Sequence, residues 1–412
     1  MPLKFSQFFE PTQLTEADEM ASGGVKHLTH IEDAILLNGS VGIKLATDYM
    51  QKVVDSMSSN DASYCVTTKF DGSPALVTGI NPENGKFFVG TKSVFNKTPK
   101  LNYTDKDIDT NHPSGGLNVK LKIALKHLKG VGIQGIMQGD MLFTKEDIKS
   151  QKIDGRQYVT FRPNTLTYAV PSDSDLAKEI QVAEMGIVFH TKYTGNEIAN
   201  LSPSFAPDIS YLKKSSKAWI IDANLQSVGS CSLPMNALQK KEIELQIAAI
   251  SRNGAKNAKF LDKLQQSQGI INDLMIYINQ NVRQGVAQGS SQGFLDYMKT
   301  KTKKDIDKLK QGDARTAKAN AAKNLIDSIE SNTTKYNGLF ALHHLISTTK
   351  LLIIERLRQT KMRLDAFTQE NDKLTVSSPE GFVVVNKINN QAYKLVDRLD
   401  FSRKNFNLPK TW

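Results

Sequence analysis

The sequence predicts an α+β protein: a β-rich domain of antiparallel sheets and helices, interrupted by a long α-helical insertion. Three observations predict this. Residues 61–234 read as short Val/Ile/Phe/Tyr runs broken by Gly, Pro and Asn, the pattern of strands and turns. All thirteen prolines lie outside residues 235–378, a window rich in the helix formers Gln, Lys, Ala and Leu. Strand patterns then return at Gly381–Val385 and Ala392–Val396. The chain has 412 residues, 39% of them hydrophobic and 23% charged, so it can bury a sizeable core over two or three domains, or over one domain with a large insertion.

Taken in order, residues 1–60 read as an arm followed by helix. Phe5, Phe8 and Phe9 are placed to dock on a core, and Leu45, Met50, Val53, Val54 and Met57 recur at helical spacing over Ile43–Met57. Residues 61–234 form the first part of the β-rich domain, with strands at Tyr64–Thr68 and Pro74–Thr78 and one amphipathic helix at Gly116–Leu128. Residues 235–372 form the insertion, with an amphipathic stretch over Ala341–Phe367 and a Gly/Ser/Gln loop at Gly285–Gly293. Residues 373–412 complete the first domain, and their strands are expected in the same sheet as Tyr64–Thr68.

The bulk properties narrow the function. No apolar run approaches the ~20 residues of a membrane span, and the polar start after Met1 does not read as a secretory signal. Cys65 and Cys231 make neither a disulfide framework nor a zinc quartet, which points to a reducing, cytoplasmic setting. Net charge is +11. Residues 236–372 carry 22 Lys/Arg against 14 Asp/Glu, so +8 of the +11 falls in the insertion. Such a surplus suits a polyanion partner, because neutralising phosphates releases counterions. A surface charge that only confers solubility is the competing reading.

The chemistry centres on Lys69-Phe70-Asp71-Gly72-Ser73. A lysine at a strand end, followed by Asp-Gly, sets an amine in a pocket with a tight turn behind it; the competing reading is a surface hairpin. An attacking amine must be neutral, so it needs a pKa well below the free lysine's ~10.4. A triphosphate substrate needs Mg²⁺ on carboxylates and further cations around the α-phosphate.

K-x-D-G-S resembles the first motif of the covalent nucleotidyltransferase superfamily, which contains ATP-dependent DNA and RNA ligases and mRNA-capping enzymes. The resemblance implies an ATP-grasp-like ligase fold in which Lys69 attacks the α-phosphate and carries the nucleotide as a phosphoramidate. It also places Thr68, Asp71 and Gly72 at the nucleotide. Further stretches resemble later motifs in the family's order. Gly90-Thr91-Lys92-Ser93 resembles the strand-borne basic residue at the ribose, with lysine where arginine is usual and Lys97 as a competitor. Gln138-Gly139-Asp140 resembles the third motif, with Asp140 for the usual glutamate. Met185–Phe189 resembles the strand whose aromatic, here Phe189, stacks on the base. Glu380-Gly381-Phe382-Val383-Val384 is close to the fourth motif, whose glutamate serves the metal. Tyr393-Lys394-Leu395 resembles the fifth, with Lys394 on the α-phosphate and Arg398 able to replace its missing second lysine. Glu380 and Asp140 are thus the implied ligands of Mg²⁺ (or Mn²⁺), and ATP is the implied substrate. An internal alternative takes Glu184 as the fourth motif with Lys213, Lys214 or Lys217 as the fifth; the extra Met185 before Gly186 argues against it.

Ligases that act on DNA and capping enzymes carry an OB-fold after the fifth motif, and only sixteen residues follow Val396. The resemblance therefore favours an RNA ligase-like enzyme that seals 5′-phosphate to 3′-hydroxyl ends, with RNA favoured over DNA as partner and the insertion as the RNA-holding module. The pattern, with its His27–Asp33 stretch, also looks like an uncharacterised family of tailed-phage proteins, which would place it in a host cytoplasm. His27 and His30 are a weak metal pair and a better fit to capping or packing. The alternative functions are a ligase acting on DNA and a catalytically weak nucleotidyltransferase-fold protein that binds nucleic acid or belongs to a virion.

Overall fold

The computed structural model describes residues 28–56, 64–225, 235–360, 362–370 and 373–402. Phe5, Phe8, Phe9, His27, Met57 and Cys231 lie outside them. The described chain opens with β1 (Thr29–His30), a 3₁₀ turn at Ile31–Asp33 and helix α1 (Ala34–Ser56). β2 (Tyr64–Lys69), β3 (Ala75–Ile80), β4 (Phe87–Gly90), α2 (Asp105–Asn111), α3 (Gly116–Leu128) and β5 (Ile136–Thr144) follow. Next come β6 (Lys149–Ile153), β7 (Arg156–Phe161), β8 (Thr167–Pro171), α4 (Asp175–Val182), β9 (Met185–Thr194), β10 (Ser202–Phe205) and β11 (Ala218–Asp222). Five helices then run without a strand: α5 (Ala237–Leu264), α6 (Gln268–Gln284), α7 (Ser291–Asp307), α8 (Asp313–Ser331) and α9 (Thr333–Leu357). The described chain ends with β12 (Asp365–Glu370), β13 (Lys373–Ser377), β14 (Gly381–Asn386), β15 (Gln391–Val396) and a π-helical turn at Arg398–Ser402. The protein is thus mixed α+β, with three sheets among the described residues.

Sheet 1 has the order β1-β15-β14-β2, with β14 antiparallel to both neighbours and β1 parallel to β15. Sheet 2 runs β10-β9-β5-β3-β4, with β11 beside the first half of β9. Sheet 3 runs β13-β12-β8-β7-β6 and is wholly antiparallel. The end of β2 is stitched toward sheet 2 where the Thr68 amide donates to the Ala223 carbonyl (2.7 Å), just beyond β11.

The two faces of sheet 1 have different fates, because residues two apart share a face. Val66, Phe382, Val384, Tyr393 and Leu395 face the helices and join one buried cluster with α1, α5, α6, α7 and α9. Cys65, Thr67, Lys69 and Val383 face a cleft against sheet 2. The helical part therefore has no apolar core separate from the sheet. Burying a side chain such as Phe382 contributes about 1.5–3 kcal/mol, so this interface binds the two parts firmly. Helix α1 kinks at Gly39, whose φ of +58° suits glycine; a Cβ there would also meet Asp262 Oδ1 at 2.7 Å.

The expected domain limits need two corrections. The insertion's helices end at Leu357, and β12 pairs with β8 inside sheet 3, before residue 373. Leu364 and Ala366, which extend the helical spacing of Ala341–Phe367 in the sequence, are instead buried beside Phe161 and Tyr168. The last strands divide as well: β14 and β15 lie in the sheet that holds Lys69, but β13 lies in sheet 3.

Candidate active site

Lys69 ends β2, and its backbone pairs with Gly381, the first residue of β14. That register sets Glu380, only 7% exposed, against the lysine, and the Lys69 amine donates to the Glu380 carboxylate. Burial by itself lowers the Lys69 pKa. The Glu380 carboxylate outweighs it, aided by Asp140 and Asp71, and holds the amine above the ordinary lysine value. Lys69 and Glu380, distant in sequence, thus form one unit.

The loop after Lys69 is clamped. Asp71 is 3% exposed; its carboxylate accepts from Asn164 Nδ2 (2.7 Å) and from the amides of Thr165 (2.7 Å) and Leu166 (2.9 Å). The Asp71 amide donates to Tyr168 Oη at 2.6 Å. Asp71 therefore fastens the loop to the turn before β8 rather than facing a ligand, a correction to its expected place at the nucleotide. A Cβ on Gly72 would sit 2.6 Å from the Asp140 Cβ, so glycine is what allows the loop to reach β5. The Ser73 amide completes the clamp on the Met141 carbonyl (2.8 Å).

Asp140, on β5, lines the same cleft as Thr68 and Lys69. Its Oδ2 lies 3.6 Å from His190 Nε2. The β5–β9 register skips His190: Gln138 pairs with Thr191 and Gly139 with Phe189. Such a bulge re-aims a side chain. Val188 and His190 line the cleft, and Phe189 points to the opposite face of sheet 2, buried with Leu121, Leu128 and Met141. Phe189 is a core residue, not a wall of the cleft. Two phenylalanines do line it: Phe70, next to Lys69, and Phe205, on β10, opposite Val383 and Val385. Asn390, in the β14–β15 turn, accepts from the Phe205 amide (3.1 Å) and donates to the Pro203 carbonyl.

Lys394 pairs with Val383, which pairs with Thr67, so it sits on the cleft side of sheet 1. Its charge acts on the Glu380 carboxylate. Arg398 does not join it. Its guanidinium binds Asp33 (Nη1 to Oδ1, 2.9 Å) and Asn279 (Nη2 to Oδ1, 2.6 Å). Asp33 also meets His343 Nε2 at 2.9 Å, and Glu32 accepts from Lys350 at 2.7 Å with both side chains fully buried. Arg398 is therefore part of a buried structural network, which overturns its expected role at the α-phosphate. The Glu32-Asp33 end of the His27–Asp33 stretch belongs to this network. His30 pairs in β1 beside Lys394; burial, then the charges of Arg398, Lys350, Lys394 and Lys69, hold its imidazole well below the ordinary histidine range.

The other expected residues scatter. Lys92 opens an exposed 3₁₀ turn after the edge strand β4 and does not line the cleft. Glu184 pairs with Lys217 at 3.1 Å, both partly exposed, at the start of β9; this removes the internal alternative for the fourth motif. Lys120 escaped the sequence reading. It projects from α3 to the Ser73 carbonyl (3.4 Å), bringing a cation to the nucleophile's own loop.

The family model described as "Family of unknown function (DUF6267)" matches residues 25–410. The chain belongs to the DUF6267 family. No curated protein and no solved structure matches it. In this DUF6267 chain, no group of three or more His, Cys, Asp and Glu ligands gathers among the described residues. Glu380 and Asp140 are two oxygen donors converging on one amine, a set that suits Mg²⁺, which takes one or two carboxylates and fills its shell with substrate phosphates and water. No helix among the described residues is long and apolar enough to cross a membrane.

Proposed function

We propose that the chain is a covalent nucleotidyltransferase, RNA ligase-like, that loads AMP from ATP onto Lys69 and passes it to a 5′-phosphate end. The observation that carries this is Lys69 paired with a buried Glu380 in a cleft that also holds Asp140, with Lys394 on the same side of sheet 1. The Lys69 amine sheds its proton and attacks the α-phosphorus; the bond to the β-phosphate breaks and pyrophosphate leaves. An oxygen of a 5′-phosphate then attacks the same phosphorus, breaking the P–N bond and returning the lysine. A 3′-hydroxyl displaces AMP and closes the strand. Glu380 and Asp140 would hold Mg²⁺, which supplies charge neutralisation at the phosphates. Lys394 stabilises charge on the α-phosphate, and Phe205 stacks on the base. Much of the rate enhancement then comes from positioning and electrostatics.

A second reading, a catalytically weak member that binds nucleic acid, draws on one observation: Arg398 is committed to Asp33, so of the fifth-motif cations Lys394 alone faces the cleft. Incubation with α-labelled ATP and Mg²⁺, followed by denaturing electrophoresis, separates the two. Label on the wild type, none on Lys69→Ala and little on Glu380→Gln supports the enzyme. No label on the wild type leaves the binding reading.

A further inference from the structure

We infer that the lobe formed by residues 90–133 is the surface that grips the phosphate backbone of a single-stranded polynucleotide and leads its end to Lys69. This rests on the proposed function and goes beyond it by placing the grip outside the helical insertion. Position decides the place: residues 90–133 hold eight lysines and three aspartates, a net +5, and adjoin the loop that follows Lys69. Several of the helical cations are committed to acids. Lys350 is buried on Glu32, Lys301 is paired with buried Asp273, and Lys299, Lys308 and Arg315 pair with Glu330, Asp305 and Asp307.

In the lobe two of the three acids are committed, and most of the eight lysines are left exposed. Asp107 accepts from the Tyr103 and Thr104 amides to cap α2, and Asp109 takes Lys122 at 2.6 Å. Lys97, Lys106, Lys126 and Lys129 are exposed and form no ion pair among the described residues. The lobe is one piece. Asn102 bridges to Val89 of β4, Asn111 donates to Asn102 (2.9 Å), and Asn118 donates to the His112 carbonyl (2.7 Å). It reaches the site through Lys120, on the Ser73 carbonyl. A basic face joined to the loop behind the nucleophile is complementary to a chain of phosphates whose terminal phosphate must arrive there.

The test uses the full chain and a short mixed-sequence single strand with a 5′-phosphate, as RNA and as DNA, in fluorescence anisotropy over a salt series. One variant carries Lys97→Glu, Lys106→Glu, Lys126→Glu and Lys129→Glu; a charge-matched control carries Lys303→Glu, Lys304→Glu, Lys310→Glu and Lys323→Glu. The lobe variant should bind about tenfold or more weakly, and its slope of log affinity against log salt should be shallower by up to about three, at ~0.7 per lost phosphate contact. The control should bind as the wild type does, and both should still label at Lys69. If the glutamate lobe variant loses its thermal transition, the matching Lys→Gln variant is measured instead, with the same direction expected. Equal losses in both variants, a loss in the control alone, or no binding by the wild type would overturn the inference. RNA and DNA bound alike means a backbone grip; a preference for one names the polymer, and both outcomes keep the lobe. A wild type that binds through the lobe but never labels at Lys69 rejects the enzyme and leaves the surface standing.

Discussion

The charge on Lys69 has a measurable pH signature. Because Glu380 holds the amine above its ordinary value, the free protein keeps it protonated at neutral pH, and neutralising Glu380 is what releases it. The stability that the raised lysine contributes is full at neutral pH and is lost as pH rises through the raised lysine pKa. Labelling of Lys69 by an amine reagent, read by peptide mass spectrometry against pH, should have its half-point above the ordinary lysine value in the wild type and lower in Glu380→Gln, where burial loses its main counterweight. Coinciding half-points would contradict the assignment. The two phenylalanines separate by the same logic. Phe189→Ala empties a core site and should cost about 3–5 kcal/mol in chemical denaturation. Phe205→Ala, at a half-buried site against Val383 and Val385, should cost less stability than Phe189→Ala and weaken ATP binding by about 1–3 kcal/mol, the range for an aromatic stacked on a base. That Lys69, Glu380 and Asp140 gather was legible from the motif resemblance. The exchange of Phe189 for Phe205 was not: both faces of β9 are buried, so alternation along one strand does not say which face is the cleft.

Between elements, the Glu32–Lys350 and Asp33–Arg398–His343 contacts join the first turn of the chain to α9 and to the segment after β15. Burial alone raises the Asp33 pKa, but Arg398 and His343 outweigh it and bring it to about 2. A carboxylate depressed in the folded state stabilises above its unfolded value and loses that contribution as pH falls through the folded one. Urea unfolding should therefore show the wild type losing about 2 kcal/mol between roughly pH 4 and pH 2 through this group. Asp33→Asn should cost about 3–5 kcal/mol at neutral pH, because it removes the nearer carboxylate from buried Arg398 and leaves it Glu32, at 3.6 Å and already held by Lys350. The same pH dependence in the mutant as in the wild type would refute the linkage. Helix α3 was readable residue for residue from its apolar spacing. The network was not, since Asp33 and Arg398 meet only after the whole chain has folded between them, and no local pattern records that. The π-turn that carries Arg398 has no sequence signal of its own.

Across the whole molecule, composition marked the helical stretch correctly, yet mistook a topological insertion for an independent module. Composition reports which residues form helices, and it is silent on what those helices bury. Here they bury sheet 1, through Val66, Phe382 and Val384. Two consequences follow from that shared core. The chain should unfold in one transition by circular dichroism and by Trp219 fluorescence alike, and a version in which residues 237–357 are replaced by a short linker should not fold. Two resolved transitions, with sheet 1 surviving the first, would restore the separate module. The central claim, that the cleft between sheets 1 and 2 exists to load a nucleotide on Lys69, is tested most directly by intact-mass spectrometry of the full chain after incubation with ATP and Mg²⁺, with peptide mapping of any adduct. The claim predicts one AMP per chain, mapped to Lys69, stable in alkali, labile in acid and absent from Lys69→Ala. An unmodified wild-type mass, or an adduct on another residue, would contradict it.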